Sequence, residues 1–393
     1  MMPTDCLPPL SLYIHIPWCV RKCPYCDFNS HKAGAELPEA AYVAAVLADM
    51  AQEQPFTHNR PLTSIFFGGG TPSLFSAHAI GALLEGAERC FGFAPDIEIT
   101  LEANPGTAEQ QRFAGYRAAG VNRLSLGVQS FNPKQLAHLG RIHSGAEAQA
   151  AVIMARRAGI DNFNLDLMHG LPDQTPADAA EDLRQALALE PNHLSWYQLT
   201  IEPNTEFFRR PPTLPVEDTL ADIQDAGAAA LREAGLGQYE ISAYAKPGKA
   251  ARHNLNYWQF GDYVGVGAGA HGKLSHLHEG RLAMVRRWKT RTPEHYLQRA
   301  GQPPQPGSHF SFAASTEPLA PADLPLEFMM NALRLSAGVE ASLFEARTGL
   351  SLKALEPTLG RLRDQGLITP DRLQATPLGS RFLNRLLLAF EPE

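Results

Sequence analysis

The chain has 393 residues, of which 44% are hydrophobic and 19% charged, and a formal net charge of −7. This length suits one large domain with a smaller one, and the acidic balance argues against a dedicated nucleic-acid binder. Five cysteines, an odd number, exclude a disulfide framework, while the lack of a long apolar run or a signal-peptide pattern predicts a cytoplasmic protein. Peripheral membrane contact and a homodimer are left open.

Short β-rich runs alternate with helical stretches through the first half of the chain, which is typical of repeated βα units around a parallel sheet. Six strands are predicted at residues 12–16, 64–67, 96–101, 123–128, 163–168 and 193–199. Helices are predicted between them at residues 39–52, 77–90, 108–119, 146–158 and 177–189. Six units predict an α/β fold, a partial (β/α)6 barrel of TIM-like curvature, over residues 1–210.

Each predicted strand ends in a polar or glycine-rich stretch. In barrels of this kind the chemistry gathers at the carboxyl ends of the strands. The stretches are 19–26, 68–72, 102–105, 129–131, 166–170 and Gln198. We therefore expect one site that draws residues from all six strand ends.

The second half of the chain is predicted to extend the barrel and then to leave it. Residues 211–300 hold a helix, a strand and the glycine-dense loop 263–272, which we expect to pack closely on the open side of the barrel. The proline-rich segment 301–326 is predicted as a linker. Three amphipathic stretches in residues 327–393 predict a winged-helix-like module, whose few basic residues favour a docking role over DNA binding.

Three cysteines, Cys19, Cys23 and Cys26, lie on one short loop after the first strand. Three soft thiolates so arranged suit an iron–sulfur cluster, and three ligands for four irons leave one iron free to bind a small molecule. A structural zinc site would need a fourth ligand, and the sequence has no second CxxC or HxxxH pair at zinc-finger spacing. The loop therefore predicts a 4Fe–4S cluster with an open coordination position.

This CxxxCxxC loop after the first strand resembles the hallmark of the radical S-adenosylmethionine (SAM) superfamily. The resemblance implies that the cysteines hold a 4Fe–4S cluster whose fourth iron binds the amino and carboxylate groups of SAM, and that reduction yields a 5′-deoxyadenosyl radical. It also implies that segment 70–72 binds the amino end, Glu102 accepts from the ammonium, and Arg141 pairs with the carboxylate. Gln129 and Asp166 would hold the ribose hydroxyls. The full predicted cofactor-binding set is Tyr13, Gly70, Thr71, Pro72, Glu102, Gln129, Arg141, Asp166, Gln198 and His253.

Within the superfamily, the chain resembles the group that contains the oxygen-independent coproporphyrinogen III dehydrogenase and the HemW haem chaperones. The dehydrogenase has a fourth cysteine two places after the third, whereas Asp27 and Phe28 follow Cys26 here. It also has a longer N-terminal segment, whereas eighteen residues precede Cys19 in this sequence. Both differences favour the chaperone branch. Oxidative decarboxylation of coproporphyrinogen III, radical modification of RNA and a binding module without a radical step remain alternatives, so catalysis is left open.

Residues 253–258 match the HNxxYW motif that the resemblance associates with haem chaperones. Haem needs an axial donor and flat apolar walls, and we expect His253 to supply the donor and Tyr257 with Trp258 the walls. Without the family, a hydrogen-bonding histidine and ordinary core aromatics explain the same residues. The prediction is a chaperone that binds haem and passes it to an unidentified acceptor protein.

A run of basic residues surrounds Trp288. Haem propionates, anionic lipid or a partner protein would each suit such a run, but a solvated basic face is the favoured interpretation. The run consists of Arg281, Arg286, Arg287, Lys289 and Arg291.

Overall fold

The structure, a computed structural model, describes residues 7–106, 111–304 and 309–392. Its strands are β1 Leu10–Ile16, β2 Trp18–Cys19, β3 His31–Lys32, β4 Leu62–Gly69, β5 Phe93–Ala103, β6 Arg123–Gln129, β7 Phe163–His169, β8 His193–Gln198, β9 Gly237–Glu240, β10 Ala243–Ala245, β11 Asp262–Val266, β12 His271–His278, β13 Arg281–Lys289 and β14 Ala313–Pro318.

The helices of the barrel and its extension are α1 Glu39–Glu53, α2 Ala77–Phe91, α3 Phe113–Ala119, α4 Pro133–His138, α5 Gly145–Arg157, α6 Pro176–Ala188, α7 Glu206–Arg209, α8 Glu217–Glu233, α9 Arg252–Trp258 and α10 Pro293–Arg299. Those of the C-terminal module are α11 Leu324–Ala332, α12 Ala341–Thr348, α13 Thr358–Asp364, α14 Pro377–Arg381 and α15 Leu383–Leu388.

Six neighbouring strands, β1, β4, β5, β6, β7 and β8, pair in parallel and in that order, and they correspond to the six predicted strands. β1 reads LSLYIHI with all but its fourth residue buried, which is typical of a strand covered on both faces. The helices between them begin at strong signals, such as the capping box of Ser144 and Glu147 before α5. The predicted partial (β/α)6 barrel is confirmed.

The sheet continues beyond the barrel at both edges. β11 pairs in parallel with β1, and β12, β13 and β14 follow in antiparallel order, while β10 and β9 extend the edge at β8. The glycine-dense loop 263–272 lies in this extension, where a Cβ on Gly267 would approach the carbonyl oxygen of His15 to 2.3 Å. It packs closely against β1, as expected, but residues 263–266 are strand β11 and β12 begins at His271, so the prediction of a loop is wrong outside residues 267–270.

The prediction of a linker over residues 301–326 is wrong for the stretch Ala313–Pro318, which forms β14 and pairs with β13. Prolines suggested unpaired chain, but an edge strand tolerates a proline because one side of its backbone needs no ladder partner. Within the segment, residues 305–308 lie outside the described residues, as do residues 107–110 next to the predicted helix 108–119, of which α3 covers Phe113–Ala119.

The C-terminal module is helical, as predicted, with a core of its own around Phe328, Phe344 and Leu359. Two isolated antiparallel bridges, Val339 with Leu373 and Ile368 with Ala375, tie its loops together. Phe260 of the barrel extension is buried in the same core, so the module is docked on the extension. In the part of the chain that the structure describes, no helix is long and apolar enough to cross a membrane. The cytoplasmic location stays a prediction.

Candidate functional site

A cavity of about 470 Å³ lies at the carboxyl ends of the barrel strands and is called the first cavity below. It brings together residues from the cysteine loop and from five strand ends, which is where the sequence placed the site. Its lining includes Cys19, Cys23, Cys26, Gly70, Thr71, Pro72, Glu102, Gln129, Arg141, Asp166 and Gln198. Of the predicted site residues, Tyr13 and His253 do not line it.

The cysteine loop is held by its own backbone. β2 pairs with β3 through Trp18 opposite His31, and the Cys26 N–H donates to the Cys23 carbonyl at 3.1 Å. The Cys26 Sγ lies 3.6 Å from the Ser30 hydroxyl. Burial, followed by the neighbouring thiols, raises the pKa of Cys19, and burial raises that of Cys26. The loop thus presents its thiols at the cavity wall.

The donor set fits a 4Fe–4S cluster. Each thiolate of such a cluster binds a different iron, so the three sulfurs need not converge on one point. Among the described residues, no three His, Cys, Asp or Glu side chains are grouped to hold a single metal ion. Beside the loop, Arg141 Nη1 donates to Cys23 Sγ at 3.8 Å, which places a cation next to the Cys23 sulfur.

Gly70 is required by the approach of two backbones. A Cβ there would come within 2.4 Å of the Trp18 carbonyl oxygen. The Gly70 N–H donates to the Ile16 carbonyl at 2.8 Å, and the Thr71 N–H donates to the Trp18 carbonyl at 2.7 Å. The glycine therefore lets the end of β4 lie directly against the start of the cysteine loop.

Arg141 is fixed by an amide that the sequence analysis did not select. Its Nη2 donates to Asn104 Oδ1 and to the Gly127 carbonyl, both at 2.6 Å, and Asn104 Nδ2 donates to Thr71 Oγ1 at 3.1 Å. Asn104 belongs to the polar stretch 102–105, so the signal was present in the sequence. This network links the ends of β4, β5 and β6.

Two carboxyl groups at strand ends, those of Glu102 and Asp166, face the cavity. Asp166 accepts from the Ser125 hydroxyl and from Asn164 Nδ2, each at 2.8 Å, and burial raises its pKa. Burial and then the Asp166 charge raise the pKa of Glu102 to about 8. Glu102 therefore carries a proton at neutral pH in the ligand-free protein, and an ammonium group in contact with it would favour the charged form.

Gln129 has a φ of 65°, and its Oε1 accepts from the Tyr197 hydroxyl at 2.8 Å. This left-handed backbone turns the side chain at the end of β6 into the cavity wall. Tyr197 also lines the cavity and was missed, because an aromatic residue inside a predicted strand reads as core.

A second cavity, of about 790 Å³, adjoins the first, and the two share Asp27, Phe28, Gly69 and Glu102 in their linings. Its wall carries aromatic rings from β1, β4, α9, β11 and β13. These are Tyr13, Phe66, Tyr257, Tyr263 and Trp288. Tyr13, predicted with the cofactor residues, thus belongs here, and its hydroxyl bonds to His15 Nδ1 at 2.9 Å.

His253 lines neither cavity. Its ring is 3% exposed and lies between Phe66, at a centroid distance of 4.8 Å, and Tyr257, at 4.5 Å. Burial, with the charge of Arg123, lowers its pKa to about 3, and its buried Nδ1 has no hydrogen-bond partner among the described residues. The axial role of His253 stays a prediction, with the ring behind the cavity wall.

The predicted haem walls separate in the structure. Tyr257 lines the second cavity, whereas Trp258 packs against the core of the C-terminal module, with the Arg334 guanidinium 4.3 Å from its ring centroid. The motif therefore joins the cavity to the module through adjacent residues of α9.

The interpretation of the basic run as a solvated face is wrong for two of its members. Arg287 and Lys289 are buried, and Lys289 Nζ lies 2.7 Å from Glu53 Oε1 and also bonds Asp49. Arg287 pairs with Glu53 as well. β13 alternates between its two faces, so these cations face α1.

Comparisons with known proteins match two parts of the chain to protein families. Residues 13–186 match the Radical SAM superfamily, and residues 319–382 match the HemN C-terminal domain. The solved coproporphyrinogen III oxidase (HemN) of Escherichia coli, described as a radical SAM enzyme, is similar with a TM-score of 0.79 and 24% identity over 98% of this chain and 91% of that one. Fold and cysteine loop together define a radical SAM protein.

Curated relatives show to which family of radical SAM proteins the chain belongs. The heme chaperone HemW of Escherichia coli K12 is 50% identical over 98% of this chain and 99% of its own length. That of Haemophilus influenzae is also 50% identical, with the same coverage. The mitochondrial radical S-adenosyl methionine domain-containing protein 1 of Bos taurus is 35% identical over 96% of this chain. The chain belongs to the heme chaperone HemW family.

Proposed function

We propose that this protein is a haem chaperone, which binds haem and transfers it to an acceptor protein while carrying a 4Fe–4S cluster and SAM in the first cavity. The observation that carries the proposal is the second cavity. It is large, walled by aromatic rings and built partly from Tyr257 of the HNxxYW motif. Flat aromatic walls suit a porphyrin, and the volume lies in the usual range for ligand sites.

The first cavity supports the cofactor part of the proposal. When bound, the cluster would offer one open iron to the amino and carboxylate groups of SAM. Glu102 would accept from the ammonium, and Arg141, held by Asn104, would pair with the carboxylate. Gln129 and Asp166 would bond the ribose hydroxyls, with the segment 70–72 and Gln198 completing the wall.

Haem binding is tested first. The protein is reconstituted anaerobically with iron and sulfide, titrated with haem, and then mixed with apomyoglobin as a probe acceptor. We expect a saturable Soret band that shifts to that of myoglobin on mixing. A band that never saturates, or haem that stays on the chain, would contradict the proposal.

Coproporphyrinogen III dehydrogenase activity is tested on the same preparation. Asp27, an exposed residue of the cavity lining, follows Cys26 directly. We expect no protoporphyrinogen to form anaerobically with SAM and a reductant. Stoichiometric formation would assign the chain to the enzyme class instead.

A His253→Ala variant in the haem titration tests the motif. Because the ring lies behind the cavity wall, the variant separates a ligand from a support for Tyr257 and Phe66. Loss of the Soret position would support axial ligation, and weaker binding at an unchanged position would support a packing role.

A further inference from the structure

Three histidines lie in or against the second cavity and its wall, and their ring nitrogens differ in availability. His15 uses both, since Nε2 bonds the Asn29 carbonyl at 2.8 Å and Nδ1 bonds the Tyr13 hydroxyl at 2.9 Å. His253 is enclosed by aromatic rings. His271 lines the cavity, is exposed, and has no hydrogen bond to its ring within the described ranges. Of the three, His271 presents an imidazole that a ligand in the cavity can reach.

The His271 ring is held in place by its neighbours. His271 stands opposite Trp288 in the β12–β13 ladder, and the two rings stack with centroids 6.0 Å apart and planes inclined by 22°. Its backbone is fixed as well, because a Cβ on Gly265 would meet the His271 carbonyl oxygen at 1.9 Å. Only glycine at 265 allows β11 to lie this close, and a ring so fixed loses little freedom on binding.

The protonation state of His271 suits a metal ligand. Burial, and then the charge of Arg286, lowers its pKa from the ordinary value. The neutral imidazole therefore predominates at neutral pH, and neutral imidazole is the form that binds iron.

The same cavity contains a cation for carboxylate groups. Arg291 is exposed and lines the cavity, where its Nε donates to Asn29 Oδ1 at 3.3 Å. Three of its neighbours in the basic run are occupied, since Arg287 and Lys289 pair with Glu53 and Arg286 pairs with Glu327, and Arg281 does not line the cavity. Arg291 thus remains available to a ligand that carries carboxylates.

We propose that the second cavity is the haem site, with His271 as the axial nitrogen donor, Trp288 and Tyr257 as walls, and Arg291 as the partner of a propionate. This inference rests on the proposed function and deepens it by assigning the ligand. It places the haem beside the first cavity, because Glu102 and Gly69 line both.

The test compares single variants of the full-length reconstituted protein by anaerobic haem titration, with the Soret position and the spin state of ferric haem as readouts. His271→Ala is expected to shift the Soret band and to weaken haem binding. Loss of an outer-shell partner of a metal site weakens metal binding roughly 10- to 100-fold, and we expect loss of the direct ligand to cost at least as much. Added imidazole should restore the wild-type spectrum. His276→Ala, on the same strand but outside the cavity lining, is the matched control and should leave the spectrum unchanged.

Arg291→Gln provides a second variant that leaves the imidazole in place. It should weaken haem binding without moving the Soret band, and it should not weaken binding of haem dimethyl ester, which lacks free carboxylates. Equal losses for haem and its ester would contradict the role of Arg291.

The outcomes separate the inference from the proposed function. If wild-type protein binds no haem, the proposed function fails and the inference with it. If wild-type protein binds and transfers haem but His271→Ala keeps the wild-type spectrum while His253→Ala loses it, the chaperone function stands and the inference is overturned.

Discussion

The two cavities are neighbours, but different kinds of chain segment form their walls. The first draws on strand ends that follow one another along the barrel, and its lining is mostly polar or charged. The second joins β1 and β4 to α9 and to the β11–β14 extension, and its lining is rich in aromatic rings. The first site follows from the repeated βα units, because they bring the carboxyl ends of the strands to one edge of the barrel. The second forms only when the extension packs against the barrel. The proposed cofactor site and the proposed haem site thus draw on different segments of one sheet.

Removal of a cluster ligand should have the largest effect, and it should affect the first cavity but not the second. Cys26→Ser is expected to abolish cluster assembly, because a hydroxyl is a poor replacement for a thiolate. Iron and sulfide content measure this, and Cys90→Ser, a free cysteine on α2 outside the cavity, is the control. Haem binding in the second cavity should persist. A parallel loss of haem and cluster would mean that the cavities form one site.

The second largest effect should come from the buried ion cluster of Lys289, Asp49 and Glu53, which contributes to the free energy of unfolding. Lys289→Met leaves Asp49 buried without its cation, while Glu53 keeps only Arg287, and should lower the free energy of unfolding by about 3–5 kcal/mol. Chemical denaturation measures it, with the exposed Arg281→Met at the start of β13 as the control. Iron content after reconstitution should not change. Unchanged stability would show that the Lys289 ion pairs do not contribute to holding α1 against β13.

Arg141→Ala should weaken SAM binding while sparing haem. Loss of a charged hydrogen-bonding partner costs about 1.5–3 kcal/mol, which corresponds to roughly a 10- to 100-fold rise in Kd. Isothermal titration of reconstituted protein measures it. Arg117→Ala, on α3, is the control. An unchanged SAM affinity would remove Arg141 from the predicted cofactor set.

Glu102 should make the stability of ligand-free protein depend on pH. Its pKa is raised from the ordinary 4.5 to about 8, so the folded state holds a proton that the unfolded chain releases. The stabilisation is complete below the unfolded pKa and is lost as pH rises towards 8. Relative to Glu102→Gln, the wild type should lose at most about 1.4 kcal/mol per pH unit across this window.

Denaturation at several pH values measures this effect of Glu102, with the exposed Glu85→Gln as control. Addition of SAM should flatten the difference between wild type and Glu102→Gln, since a bound ammonium favours the carboxylate. A difference that does not vary with pH would mean that Glu102 is ionised in both states.

The sequence alone determined the barrel and most of the first site. Six β-rich runs alternated with helices, and each run ended in polar residues. Because parallel strands bring their carboxyl ends to one edge, spacing sufficed to group Cys19, Glu102 and Asp166, whereas Arg141 was predicted only from the resemblance. Asn104 was within reach of the same argument, since it lies in one of these polar stretches.

Only the tertiary structure decided the second site. Tyr13 is far along the chain from Tyr257, His271 and Arg291, and no periodicity indicates that β11 lies beside β1. The burial of Arg287 and Lys289 likewise depended on which face of β13 packs against α1. The position of β14 depended on its pairing with β13. Local spacing predicts residues that one repeating unit presents, but contacts between distant segments are fixed by packing of the whole chain.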